Sequence, residues 1–456
     1  MYRIGIDVGG TFTDLVAVDE QGRVTLAKAA STPEDQSLGV MDGLDRLAEA
    51  LSLDRPTLLA RTQIVVHGTT VATNALIEHK GARVGLLTTQ GHRDIVEMRE
   101  GLKDDRYNLR QPPPVQLVPR QLRHGVRERK RPDGRTEIAL DPASLENAIA
   151  ALARAGVEAV AVCYLHSWRD DTHERATVEA LRAALPDVYV CRSSQVLPQI
   201  KEYDRVCTTI VNAYVGPVLE RYLTRLASRL GEAGFSGPVL IIQSHGGVST
   251  IADAVRLAAG GVLSGPAGGV AGSRYAARLM QHGDLIPFDM GGTSTDISLI
   301  VGGEAAIASD RRLAGQRVAL QSLDIASIGA GGGSIARVDA GGVLHVGPQS
   351  AGAMPGPPAT PGAARKPLSP TPTSSSAFSI PTTSWVVAHA STALPPKLPS
   401  IASPPRSAST VWLLPRASIA SSTRAWPKAS GSSPFGAASI PGDLPSCRSE
   451  VPPACT

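Results

Sequence analysis

From its amino terminus the chain alternates short apolar runs with segments of turn formers or helix-spaced residues. Tyr2–Ile6 is apolar, Asp7–Asp14 is rich in turn formers, and Leu15–Val18 is apolar again, which predicts strand, glycine-rich turn, strand. Ile64–Val66 and Val84–Leu87 predict two more short strands, separated by a helical segment from Thr69 to His79. In Pro142–Ala155 the apolar Leu145, Ala148, Ile149 and Leu152 recur at helical spacing and lead into a strand over Ala159–Tyr164. Thr209–Leu230 repeats that spacing over a longer span, and Pro238–Ile242 reads as a buried strand. After Asp289 a second hairpin pattern ends in the glycine-rich Gly329–Ser334. Strands alternating with helices predict an α/β fold. The charged stretch Arg99–Arg135, broken by Pro112, Pro113 and Pro114, predicts an inserted lobe or long loop with a solvated face.

Composition changes this picture near residue 353. Of 35 prolines, 20 lie in 353–456, a stretch whose acidic residues are Asp443 and Glu450. Residues 1–352 hold 37 Lys and Arg against 39 Asp and Glu, a formal charge of −2, so the calculated pI of 8.8 is a property of the tail. The net charge therefore gives no argument for a nucleic-acid or anionic-membrane partner. Five cysteines show no CxxC spacing, which predicts a reducing compartment. The start carries no long apolar h-region, and no uninterrupted apolar run reaches the ~18 residues of a membrane span. The expectation is a cytoplasmic protein.

The strongest chemical signal is a repeat. Asp7-Val-Gly9-Gly10-Thr11-Phe-Thr13-Asp14 returns as Asp289-Met-Gly291-Gly292-Thr293-Ser-Thr295-Asp296, matching at six of eight positions, with an apolar strand on each side of both copies. Paired glycines let the backbone approach an anion and aim consecutive N–H groups at phosphate oxygens, and threonine hydroxyls add donors. The aspartates suit Mg²⁺, mostly through its waters, or the orientation of a water or substrate hydroxyl. Neither a P-loop nor a Rossmann fingerprint is present. One Asp-x-Gly-Gly run is equally an ordinary tight turn. Two matched copies, 282 residues apart, favour two similar subdomains facing each other across a cleft.

The pair of motifs resembles the phosphate-1 and phosphate-2 loops of the actin/Hsp70/sugar-kinase superfamily. Ser264–Gly272 is similar to that superfamily's small-residue connecting helix, and reads equally as a tightly packed Gly/Ala helix. Further blocks, His67-Gly68-Thr69-Thr70-Val71-Ala72-Thr73-Asn74, Glu202-Tyr203-Asp204-Arg205, Asn212–Pro217, Gln243–Gly247 and Gly329-Ala330-Gly331-Gly332-Gly333-Ser334, resemble the hydantoinase A/5-oxoprolinase family. His245 departs from the Asn expected in many relatives. The resemblance implies ribonuclease-H-like ATPase subdomains, the second incomplete. It implies ATP and Mg²⁺ as cofactors, with Asp7 and Asp289 as catalytic and metal residues. Gly9, Gly10, Thr11, Thr13, Asp14, Gly291, Gly292, Thr293, Thr295, Asp296, Gly329, Gly331 and Gly332 would bind nucleotide, and His67, Thr69, Thr70 and Asn74 substrate. For Thr69 and Thr70 the other reading is a helix cap. For Gly329–Ser334 it is a plain loop. Cys163, inside an apolar strand, is expected in the core.

The resemblance stops after Gly356, where relatives continue proline, alanine, cysteine, tyrosine. Back-translation of Gly356 to about Ala388 permits a string similar to that continuation in another reading frame. The expected organisation is an N-terminal domain over 1–200 with the phosphate-1 loop, the start of the ATPase domain over 201–356 with the phosphate-2 loop, and a disordered Pro/Ser-rich tail over 357–456. The tail reads as out-of-frame translation, the other reading being an evolved low-complexity segment. The family implies ATP-dependent opening of a cyclic amide, 5-oxoproline or a hydantoin, through carbonyl-oxygen phosphorylation, with a hydantoinase B-type partner subunit. A ketone carboxylase subunit, a nucleotide-binding module without turnover and an inactive gene product are the other readings.

Overall fold

The structure is a computed structural model. It describes residues 1–350 except Thr11, Pro33, 102–106, 111–114, 292–293, Asp310, 332–333 and Ala340, together with 386–388. Strands β1 (Tyr2–Val8), β2 (Phe12–Val18) and β3 (Val24–Ala30) form an antiparallel meander. Along β1, Ile4, Ile6 and Val8 are buried, the period-2 pattern of a strand with a core face. Helix α1 (Gln36–Ala50) follows, capped by the Asp35 carboxylate on Ser37 N–H at 3.2 Å. Strand β4 (Thr62–Thr69) then enters parallel to β1 and leads into the short helix α2 (Val71–Ile77).

A second sheet comes next. Strands β5 (Val84–Thr89), β6 (Arg123–Val126), β7 (Ala159–Cys163) and β8 (Tyr189–Arg192) are all parallel, in the order β8-β7-β5-β6. Its central strands β5 and β7 are buried throughout, as parallel strands covered on both faces should be. Helices α3 (Pro142–Ala155) and α4 (Thr172–Ala184) are crossover elements. Asp141 caps α3, Pro142 sits in its first turn, and Gly156 ends it at φ +62°, left-handed backbone that favours glycine.

Helix α5 (Glu202–Glu232) packs on β7 and β8 of the second sheet and on α1 and α2 beside the first. Its buried Leu219, Leu223, Leu226 and Leu230 repeat at helical spacing. Strands β9 (Val239–Ile242) and β10 (Val248–Thr250) then complete the first sheet, whose order is β10-β9-β4-β1-β2-β3. That sheet draws strands from both sides of residue 200.

Helix α6 (Ser264–Met280) precedes a third, antiparallel sheet of β11 (Ile286–Met290), β12 (Thr295–Ser298), β13 (Ile325–Ile328) and β14 (Val386–Ala388), in the order β13-β12-β11-β14. One large apolar core serves the first two sheets. A small separate cluster, including Ala267, Val270 and Leu285, lies under α6. Of the predicted tail over 357–456, only Val386–Ala388 lie among the described residues. They form an edge strand on Ile286–Phe288, where the sequence predicted no regular structure. The run Trp385-Val-Val-Ala388 is β-forming, and an open sheet edge offers unpaired donors and acceptors. The remainder of the tail reading lies outside the described residues.

Candidate active site at two matched hairpins

The repeated motifs become two hairpins of the same register. In the first, Asp7 pairs with Asp14 and Val8 with Thr13, and Gly9 N–H donates to Phe12 C=O at 3.0 Å. In the second, Asp289 pairs with Asp296 and Met290 with Thr295, and Gly291 N–H donates to Ser294 C=O at 2.9 Å. Equivalent residues thus occupy equivalent backbone positions. Thr11, Gly292, Thr293 and Gly332 lie outside the described residues.

The two hairpins also feel each other's charge. Asp7 is pushed up to about 7, first by burial and then by the nearby carboxylates of Asp14 and Asp289, with Lys28 acting in the opposite direction. Asp289 is raised by burial and by Asp296 and Asp14. Asp296 is raised by burial, against Ser327 and the Arg311 guanidinium, which favour its anion. The Asp7 carboxylate is hemmed in by close backbone. A Cβ added at Gly68, its β4 neighbour, would lie 3.1 Å from Asp7 Oδ1, and one at Gly265, in the first turn of α6, 3.8 Å away. The base of α6 is tied to the same place, since Ser264 Oγ donates to Thr69 C=O at 2.9 Å and Leu263 N–H to Thr73 Oγ1 at 2.8 Å.

The hydroxyls predicted to bind nucleotide are engaged in the fold. Thr13 is buried with its Oγ1 3.2 Å from Ser31 Oγ, and Ser31 in turn donates to Gly9 C=O at 2.8 Å. Thr295 Oγ1 donates to Ala330 C=O at 2.6 Å, joining the second hairpin to the glycine-rich turn. That turn leaves β13 beside the hairpin, and Gly331 N–H donates to Ser334 Oγ at 2.8 Å. Gly329 lies there too, its carbonyl so close to Gly347 that a Cβ at 347 would meet it at 2.2 Å.

The four predicted substrate residues divide. Thr70 and Asn74 stand directly behind the first hairpin, with Thr70 Oγ1 3.1 Å from Val8 C=O and Asn74 Nδ2 3.2 Å from Thr70 Oγ1. Thr69 is buried and its Oγ1 accepts from Val71 N–H at 3.2 Å, while Thr70, at the start of α2, makes no side-chain capping bond. The fold does not bring His67 to the hairpin surface. Its ring is fully buried, 2.8 Å from Tyr222 Oη, and burial lowers its pKa to about 4, so it is neutral.

Sequence reasoning missed Lys28. It pairs with Asp14 across β2 and β3, with Nζ 2.8 Å from the carboxylate and 4.8 Å from the Phe12 ring centroid. Only the β3 register, which the apolar pattern did not signal, would have revealed it. Arg311 was missed as well. It is held by the carbonyls of Leu323 and Ile325 at 2.6 and 2.5 Å.

No group of three His, Cys, Asp or Glu side chains suited to a metal occurs among the described residues. A nucleotide-bound Mg²⁺ needs only one or two carboxylates, completing its shell with waters and phosphate oxygens. The mutual repulsion that raises Asp7 is what a divalent cation between the hairpins would relieve, so these residues fit the ion. Among the described residues no helix is long and apolar enough to cross a membrane. Cys163, Cys191 and Cys207 are free thiols, Cys163 in the core as expected.

Comparison with known proteins places this geometry. Residues 3–185 match the family described as hydantoinase/oxoprolinase N-terminal region, and residues 205–377 the one described as hydantoinase/oxoprolinase. Caprolactamase subunit alpha of Pseudomonas jessenii is 43% identical over 358 residues, covering 78% of this chain and 51% of that protein. The crystal structure of ATP-dependent caprolactamase from that organism is similar with a TM-score of 0.71, over 78% of this chain and 52% of the other. The nucleotide-free structure of acetone carboxylase, 30% identical, is similar with a TM-score of 0.67, over 77% and 52%. 5-Oxoprolinase 1 of Arabidopsis thaliana is 32% identical over 381 residues, covering 78% of this chain and 30% of that protein. The chain spans about half or less of the length of these relatives. Its mixed α/β fold is theirs, and with both family patterns matched, the chain belongs to the hydantoinase/oxoprolinase family.

Proposed function

We propose that the two hairpins form an ATP site of the actin/Hsp70/sugar-kinase kind and that the protein acts in ATP-dependent opening of a cyclic amide. The supporting observation is that two carboxylate-bearing hairpins of the same register face each other closely enough for Asp289 to raise Asp7. In such a site the Gly10 N–H would bind a phosphate oxygen, the Gly9 and Gly291 N–H groups closing the two hairpin turns, while Asp7 and Asp289 would hold Mg²⁺. When bound, the ion supplies positive charge against the phosphates.

A lactam or hydantoin carbonyl is a poor electrophile because its nitrogen lone pair is delocalised into it. Attack of the carbonyl oxygen on the γ-phosphorus forms a P–O bond and breaks the bond to ADP. Water then adds to the activated carbon, the C–N bond opens as the nitrogen takes a proton and an acyl phosphate is left, and a second water releases phosphate and leaves the carboxylate. A hydantoinase B-type subunit is the proposed partner for ring opening, and the relatives named as subunits support a multi-subunit assembly.

A second reading is favoured by the likeness to acetone carboxylase, in which ATP would activate a ketone or bicarbonate instead. ATP hydrolysis by the chain with its partner subunit separates the two. The amide reading expects stimulation by caprolactam, 5-oxoproline or a hydantoin. Stimulation by acetone with bicarbonate, with every lactam silent, would replace it with the carboxylase reading.

A further inference from the structure

Each hairpin is flanked by a third strand, and the register carries the match between the two hairpins beyond the repeated motif. In the first sheet Asp7 on β1 faces Asp14 on β2, and Asp14 faces Lys28 on β3. In the third sheet Asp289 on β11 faces Asp296 on β12, and Asp296 faces Ser327 on β13. Residues directly opposite on neighbouring strands share a face, with Cβ atoms about 5 Å apart. In both sheets the second aspartate therefore stands between the first aspartate and a side chain that can donate to it.

In the first hairpin that donor grips the whole carboxylate. Lys28 Nζ lies 2.8 Å from Asp14 Oδ1 and 3.1 Å from Oδ2, and the ring of Phe12, two residues before Asp14 on the same strand, lies 4.8 Å from the ammonium. Ser327 gives Asp296 a side-chain hydrogen bond that favours its anion. The tether matters because of where Asp14 stands. Asp7 is raised by burial and then by Asp14, and Asp289 by burial, Asp296 and then Asp14, so the Asp14 charge reaches both first aspartates. Untied, it would be a third carboxylate where a nucleotide-bound Mg²⁺ needs one or two. Three carboxylates suit Ca²⁺ instead, whose larger and more flexible shell takes roughly six to eight oxygens.

We propose that Lys28 is a positioning residue that holds Asp14 out of the cation's shell, so that the first hairpin offers Asp7 alone and the site takes Mg²⁺ with nucleotide in preference to free Ca²⁺. With all three groups ionised, the row Asp7–Asp14–Lys28 carries one net negative charge, and without the ammonium it carries two. The Asp14 and Lys28 side chains are 54% and 35% exposed, so their pairing adds little to folding, and its loss is read in the choice of cation rather than in stability. The proposal rests on the reading of the hairpins as an Mg²⁺–nucleotide site, but its test uses Ca²⁺ alone.

The test is calorimetric titration of the nucleotide-free full chain with Ca²⁺, beside a titration of the parent with ATP in the presence of Mg²⁺. Lys28→Met, which keeps the length of the side chain without its charge, is expected to bind Ca²⁺ about tenfold more tightly than the parent. Lys28→Arg, which still grips the carboxylate, should bind Ca²⁺ as the parent does. Adding Asp14→Asn to Lys28→Met should remove the gain. A melting temperature close to the parent's in Lys28→Met reports an intact fold. Ca²⁺ affinity unchanged by Lys28→Met, a gain shared by Lys28→Arg, or a gain that survives Asp14→Asn overturns the proposal and leaves the nucleotide reading standing. A parent chain that binds no ATP with Mg²⁺ overturns the nucleotide reading itself.

Discussion

The first and second hairpins share a register but not a setting. The first is built into a six-stranded sheet over the large common core. The second lies in an antiparallel sheet over a small cluster that includes Ala267 and Leu285. Asp7 is accordingly the more desolvated carboxylate and is pushed up to about 7, while Asp289 is raised less. Matched backbone therefore gives unmatched electrostatics, with the carboxylate of the first hairpin poised to titrate near neutral pH.

The sharpest way to break this asymmetry is charge removal at each position. Asp7→Asn is expected to lower ATP turnover by about 10³-fold and Asp289→Asn by about tenfold, measured as phosphate release in the assembled enzyme. Equal losses would show that depth of burial does not separate their roles. Stability should move in the opposite direction. Because the folded pKa of Asp7 lies above its value of 3.8 in the open chain, the folded state binds the proton more tightly. The associated stability is complete below pH 3.8 and is lost as pH rises through about 7, a linkage of at most ~4 kcal/mol. Asp7→Asn should thus melt at a higher temperature than the parent at pH 8 and nearly with it at pH 4, a gap that thermal denaturation at the two pH values reads directly.

Smaller effects probe the carboxylate's walls. Gly68→Ala, which sets a methyl 3.1 Å from Asp7 Oδ1, should cost about tenfold in turnover by displacing the carboxylate, whereas Gly265→Ala at 3.8 Å makes an ordinary contact and should cost little. Turnover equally affected by both would mean that the walls do not position Asp7. The smallest effect belongs to the hydroxyls. Thr295→Val removes the bond to Ala330 and should cost about 1 kcal/mol in denaturant unfolding, while Thr13→Val, whose partner Ser31 keeps its bond to Gly9, should cost less.

Much of this was legible in the sequence because hairpins and amphipathic helices are local. The paired Asp-x-Gly-Gly runs fixed both turns, and the spacing of Leu145, Ala148, Ile149 and Leu152 located α3. Sheet membership was not legible. Nothing in Pro238–Ile242 says that β9 returns to β4, since a buried strand reads the same in any sheet. His67 misled for a related reason. The resemblance implied substrate binding for it, yet in β4 its ring lies in the core against Tyr222, and strand alternation decides its face. Lys28 was hidden because its partner Asp14 is fourteen positions away and meets it only through the β2–β3 register.

The return of β9 to β4 also bears on how the chain acquires its fold during synthesis. β4 ends at Thr69, but the strand that covers its free edge begins at Val239, after the whole second sheet has been made. The parallel sheet closes with β8 at Arg192 and can be completed on the ribosome while β4 still shows an unpaired apolar edge. That delayed, long-range pairing is slow and open to mispairing with other nascent chains. Chaperone dependence and temperature-sensitive yield should therefore track substitutions in β9 more closely than those in the second sheet.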